Sequence, residues 1–143
     1  MPLTVMKDID IAKAALEGHS IALCRDGKII TSDKRGIAPM VDFIADGEDL
    51  RGFSAADLIV GRAAAMLFVR AGIKEVYART ISAGGKEYLE AHGIEVTFSE
   101  LTEQIKNRAG TGICPMEEAV TGISDPEKGY AAVAAKLASL RRK

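Results

Sequence analysis

Hydrophobic positions along the chain follow two rhythms, a spacing of three to four residues and an alternation of two, broken by glycines and prolines. Ile9, Ile11, Ala15 and Leu16 are helically spaced, and Gly18 is suited to end that first helix. Ser20 to Arg25 (SIALCR) and Lys28 to Thr31 (KIIT) flank Asp26-Gly27, which predicts a tight hairpin because both turn positions tolerate positive φ. Pro39 suits the first turn of a short helix, PMVDFIADG, closing near Gly47.

Ser54 and Asp57 have the spacing of a helix-start box, with Asp standing where Glu or Gln is usual. The helix this predicts runs to about Ala71 and stops at Gly72. Val60, Ala64, Leu67, Phe68 and Ala71 form one stripe, widened by Ile59, Ala63 and Met66, so this helix is expected to pack on more than one side. Glu75 to Thr80 (EVYART) reads as a strand, Gly85 to His92 as a helix ending at Gly93, and Ile94 to Phe98 (IEVTF) as a further strand. Strand, helix and strand with short joints imply a right-handed parallel crossover.

A helical turn or two is expected over Glu100 to Asn107, before a Gly110–Cys114 bend. Pro115 then opens a short helix, and Asp125-Pro126-Glu127 opens the last one, with Asp as cap and Pro in the first turn. The expected order is α-β-β-α-α-β-α-β-α-α. An antiparallel hairpin followed by parallel units gives a three-layer α/β/α sandwich with a mixed sheet, and residues 1–143 are expected to form one domain.

Composition narrows the function classes. With 48% hydrophobic and 27% charged residues the chain is ordinary globular material, and its formal charge of −1 is spread over interspersed acids and bases. That pattern carries no footprint for nucleic acid or an anionic membrane. The one basic run, Arg141-Arg142-Lys143, suits the end of a helix dipole. Leu58 to Val69, the most apolar stretch, is interrupted by Gly61 and Arg62 and is too short to span a bilayer. Asp8 and Asp10 stand where a secretory leader would be basic, and two widely separated cysteines do not make a disulfide framework. The expected setting is a reducing cytoplasm.

The element order resembles the cytidine deaminase fold over nearly the whole chain. Zinc-dependent members begin a buried helix with His-x-Glu or Cys-x-Glu and start the helix after the next strand with Pro-Cys-x-x-Cys. The corresponding segments here, DLIVGRAAA (Asp57 to Ala65) and ISAGGKE (Ile81 to Glu87), contain no such ligand. More closely, GRAAA, EVY, a glycine-bearing strand–helix turn and TGICPMEEAV resemble a small uncharacterised prokaryotic family with a deaminase-like fold and no zinc motif. The resemblance implies an architecture and no activity.

Candidate chemistry follows from what is left. His19, Cys24, His92 and Cys114 are scattered over four elements, so neither a metal nor another cofactor is expected. Arg62 stands near the start of an apolar helix, the wrong end for a cation, and needs either a carboxylate such as Asp57 or an anionic ligand. Ser82, Gly84 and Gly85 lie in a turn after a parallel strand, where open α/β sheets bind ligands, and Thr80 adds a hydroxyl. The plain alternative is a tight turn. In the deaminase-like arrangement both helix starts converge, and with Gly61 and Arg62 they make an electropositive junction.

Cys114 precedes Pro115 at a helix cap, where free amides favour thiolate while Glu117 and Glu118 oppose it. Cys-Pro-x-Glu also has the form of a capping box, Cys replacing Ser and Glu117 closing it. Cys114 is thus a cap or core residue, a wall of a ligand site, or a catalytic thiol. Thr111, Gly112 and Asn107 shape the preceding bend, and Arg108 adds a cation there. The leading expectation is a protein that binds a small anionic or nucleotide-like molecule through Asp57, Gly61, Arg62, Thr80, Ser82, Gly84, Gly85, Thr111, Gly112, Cys114 and Glu117. The alternatives are a thiol-dependent enzyme using Cys114 and a non-catalytic interaction module. A homodimer is expected, and Val133, Leu137 and Leu140 form a stripe on the final helix that suits the core or a self-association surface.

Overall fold

The structure is a computed structural model that describes residues 7–106, 110 and 112–141. Among these, α1 (Asp8–Ala15) leads into a hairpin of β1 (Ile21–Arg25) and β2 (Lys28–Ser32), followed by α2 (Ala38–Ala45). The chain continues through β3 (Ser54–Val60), α3 (Arg62–Ala71), β4 (Glu75–Ser82), α4 (Ala83–Ala91) and β5 (Glu95–Thr102). Two helices, α5 (Pro115–Ala119) and α6 (Pro126–Arg141), close it. The strand order is β2-β1-β3-β4-β5, with β1 antiparallel to β2 and β3, and β3, β4 and β5 parallel.

The hairpin turns as its sequence dictates, with φ of 49° at Asp26 and 84° at Gly27. Helix α1 covers one face of the sheet, burying Ala12 and Leu16 against Ala22, Cys24 and Ala56. The larger core lies on the other face, under α2, α3, α4 and α6. The expected α/β sandwich with a mixed sheet is therefore the observed one, with one helical layer thin and the other thick. Helix α3 is buried nearly all round, from Ala63 through Phe68 and again at Ala71. Helix α6 lies along it, Gly129 seating on Met66. The stripe on α6 mostly serves this core: Val133 is buried, Leu137 is half-buried, and Leu140 remains exposed.

Two expectations are corrected. Ser54 to Val60 is the central strand of the sheet and not the first part of a helix. Flanked by β1 and β4 and covered on both faces, it has no polar alternation, and only Gly61 separates it from α3, so its apolar run merges with the helical stripe. Ser54 accordingly caps nothing; its hydroxyl is buried without a hydrogen-bond partner. The second correction concerns Glu100 to Asn107. β5 continues through Thr102 as an edge strand, and Lys106 then bridges antiparallel to Ile113. Asn107, Arg108 and Thr111 lie outside the described residues.

Candidate functional site

Helix α3 starts where β3 leaves the sheet, and its cap residue Gly61 is extended (φ −100°, ψ −171°) and has no side chain to accept the first amides. The acceptor comes from another helix. Glu117 of α5 takes the Arg62 N–H on Oε1 at 2.8 Å and the Ala63 N–H on Oε2 at 2.7 Å. A Cβ on residue 61 would lie 2.5 Å from Glu117 Oε1, so glycine there is a condition of this contact. The capping box within α5 does not form. Cys114 is the cap residue, its side chain makes no cap bond, and its N–H donates to the Ile105 carbonyl at 3.0 Å.

Arg62 turns away from Asp57. Its Nη1 donates to the Val120 carbonyl at 2.8 Å and its Nη2 to the Ile123 carbonyl, while the guanidinium lies 5.3 Å from the Tyr88 ring centre. Tyr88 is held in turn by donating its hydroxyl to the Ser124 carbonyl at 2.6 Å. A cation misplaced for its own helix is thus well placed for another, satisfying carbonyls at the end of α5. Asp57 lies inside β3 opposite Ile21 and Ala78, and is 7% exposed. Burial pushes its carboxyl up to about 7, against the backbone amides of Leu58 and Ile59, which favour the charged form.

Helix α4 begins beside α3. Ser82 caps it by accepting the Gly85 N–H at 2.9 Å. A Cβ on Gly85 would meet the Gly61 carbonyl carbon and oxygen at 3.0 Å, and one on Gly84 would approach only Arg62 Cβ at 4.0 Å. The two helix starts therefore converge at the carboxyl edge of β3 and β4. Their junction is less electropositive than the sequence suggested, because the Glu117 carboxylate already occupies the amides of α3.

Two adjoining cavities open at this edge, sharing Glu117 and Ile105 as a wall. The smaller, about 350 Å³, is lined by Arg62, Ser82 and Gly84 on one side and by Glu103, Gln104 and Thr121 on another. The larger, about 540 Å³, takes in Ile59, Gly61, Ala64, Cys114, Met116 and Leu137. Of the expected site residues, Arg62, Ser82, Gly84 and Glu117 share the first cavity, while Gly61, Cys114 and Glu117 share the second. Gly85 is packed between the helix starts. Asp57, Thr80 and Gly112 line neither cavity. Gln104, Glu103 and Thr121 are additions that no local pattern marks, since a loop and a helix end bring them in from opposite sides.

The zinc of related folds does not fit here. The two helix starts offer Gly61, Arg62 and Ser82 to Gly85 in place of thiolate or imidazole, and Glu117 is engaged with amides. Among the described residues no cluster of three or more His, Cys, Asp or Glu is poised for a metal. No described helix is long and apolar enough to cross a membrane.

Comparison with known proteins agrees with this architecture. The crystal structure of a DUF1893 family protein (TM1506) from Thermotoga maritima superposes with a TM-score of 0.80 at 24% identity, covering 92% of each chain. A diaminohydroxyphosphoribosylaminopyrimidine deaminase/5-amino-6-(5-phosphoribosylamino)uracil reductase from Thermotoga maritima is similar over 63% of this chain and 34% of its own, at 19% identity and a TM-score of 0.45. The dCMP deaminase of cyanophage S-TIM5 is similar over 66% of this chain and 93% of its own, at 16% identity and a TM-score of 0.43. Overlaps of that extent say nothing of activity. No curated protein matches the sequence. Residues 11–137 match the family described as TM1506, a domain of unknown function (DUF1893), and the chain belongs to that family.

Proposed function

We propose that the protein binds a small nucleotide-like molecule in the smaller cavity, with its anionic group at Arg62 and the first turn of α4, and its hydrogen-bonding ring toward Gln104 and Thr121. One observation carries this reading: a half-buried guanidinium that, among the described residues, meets carbonyls and an aromatic ring but no carboxylate stands beside a helix start on one wall of a cavity of about 350 Å³. That volume suits a small organic ligand. Glu103 on the same lining favours a ligand that also carries N–H donors, which separates a nucleotide from bare phosphate.

The test is a thermal-shift panel of nucleoside monophosphates, nucleosides and inorganic phosphate against wild type and Gly84→Glu. Gly84 has room for a side chain, and an acid in the first turn of α4 suits the helix dipole, so the variant folds. Its carboxylate stands where the anion belongs. At least one nucleotide raises the wild-type melting temperature, and Gly84→Glu abolishes the part of that rise that depends on phosphate. A wild-type melt unmoved by every compound defeats the reading.

A thiol-dependent reaction at Cys114 is a second reading, supported by the position of Cys114 on the wall of the larger cavity. A homodimer is the partner we propose; light scattering decides it.

A further inference from the structure

We propose that the larger cavity is a separate binding site for an amphipathic monoanion, a carboxylate or sulfonate that carries an aromatic or medium-length alkyl body. Its volume, about 540 Å³, lies in the range of small-molecule sites. The lining is apolar and comes from four elements: Ile59 of β3, Ala64 of α3, Met116 of α5, and Leu137 and Leu140 of α6. Ile59 is 52% exposed and Leu140 39%, so apolar surface is left facing solvent around a concavity. Such surface is costly unless something covers it.

Charge selects the occupant. Arg35, in the loop before α2, and Lys106, beyond β5, stand on the lining. Every ion pair among the described residues involves other cations. The lining's one acid, Glu117, has both oxygens turned to the amides of Arg62 and Ala63. Two cations without an ion-pair partner among the described residues, beside an apolar hollow, are complementary to a single anionic head on an apolar body. The smaller cavity has a different balance, with Glu103 against Arg62. The two sites therefore select different ligands, and this inference does not depend on a nucleotide in the first.

Anilinonaphthalene sulfonate and its uncharged analogue N-phenylnaphthylamine are the probes, titrated by fluorescence into the full chain at low salt. Wild type binds one equivalent of each, and added salt weakens only the sulfonate. Reversing both cations, in Arg35→Glu/Lys106→Glu, weakens the sulfonate by about tenfold and leaves the uncharged dye unchanged. Ile59→Asp weakens both dyes by a similar factor. If circular dichroism shows Ile59→Asp unfolded, Leu140→Asp replaces it, since that side chain is exposed on α6. The proposal is overturned if the double reversal leaves sulfonate affinity intact, or if the aspartate variant leaves both dyes bound as in wild type. It is equally overturned if light scattering shows a dimer that excludes both dyes and that the aspartate variant dissociates, because a second copy then fills the hollow.

Discussion

Gly61 and Glu117, far apart in sequence, are shaped to one another: the missing side chain of the first leaves the space that the carboxylate of the second fills, and a Cβ there would stand 2.5 Å from Oε1. Gly61→Ala and Glu117→Ala should each destabilise the protein by on the order of 1–2 kcal/mol, the usual cost of losing a helix cap. Both substitutions remove one contact, so the double variant should lose clearly less than the sum. Urea unfolding of the four proteins measures this; strict additivity would mean that the cap has no energetic weight.

The two glycines that open α4 give substitutions of opposite sign. Gly84→Ala meets only Arg62 Cβ at 4.0 Å and replaces a poor helix former with the best one, so it should stabilise by about 0.5–1 kcal/mol. Gly85→Ala gains the same propensity but drives a methyl onto the Gly61 carbonyl at 3.0 Å and the Val60 oxygen at 3.1 Å. Backbone cannot step aside as a side-chain tip does. Gly85→Ala should therefore cost about 1–3 kcal/mol net. Thermal melts of the pair decide whether the convergence of the helix starts is as tight as described.

These contacts show where sequence reading reached its limit. The hairpin at Asp26-Gly27, the helix starts at Pro115 and Asp125, and the crossover through α4 were legible because each depends on residues within a few positions of one another. Lys128 N–H indeed donates to Asp125 Oδ2 at 3.0 Å. β3 was not legible, because a central strand buried on both faces lacks alternation and runs directly into α3. Within the site, Arg62 and the Ser82–Gly85 turn stood out as chemically odd, and both do reach the cavity. Glu117 stood out too, but its pattern fitted a cap of its own helix. Nothing local distinguishes that cap from one on a helix more than fifty residues away. For Arg62 the sequence offers a carboxylate such as Asp57 or an anionic ligand, and carbonyls of Val120 and Ile123 are as invisible to local pattern as the distant cap.

Asp57 makes folding stability depend on pH in the direction opposite to a salt-bridged carboxylate. Its folded pKa is about 7, raised by burial from 3.8. Between these values the folded chain holds a proton that the unfolded chain has released, so this group's contribution falls as pH rises from about 4 to 7. Asp57→Asn removes the titration and keeps the shape. Relative to wild type, the variant should gain with rising pH, by on the order of 2–4 kcal/mol at pH 8 compared with pH 4. Denaturant unfolding across that range checks it; parallel curves for the two proteins would show that Asp57 is not buried in the folded chain.

The two cysteines should separate cleanly in reactivity. Cys24 is fully buried and donates toward Asp8 Oδ1 at 3.7 Å. Burial pushes its thiol above the usual range, and the charges of Asp8 and Asp26 add to that, against a backbone hydrogen bond from Gly27. A thiol both inaccessible and protonated does not alkylate. Cys114 is half-buried on the wall of the larger cavity. Iodoacetamide at about pH 8 should therefore modify one thiol per native chain and both in denaturant, and Cys114→Ser should leave the native chain unmodified. Anilinonaphthalene sulfonate bound in that cavity should slow the reaction in proportion to its occupancy. A Cys114 rate faster than that of a free thiol, with a pH profile displaced to lower values, would favour the thiol-dependent reading. A rate at or below the free-thiol value, protected by the dye, makes Cys114 part of a binding wall.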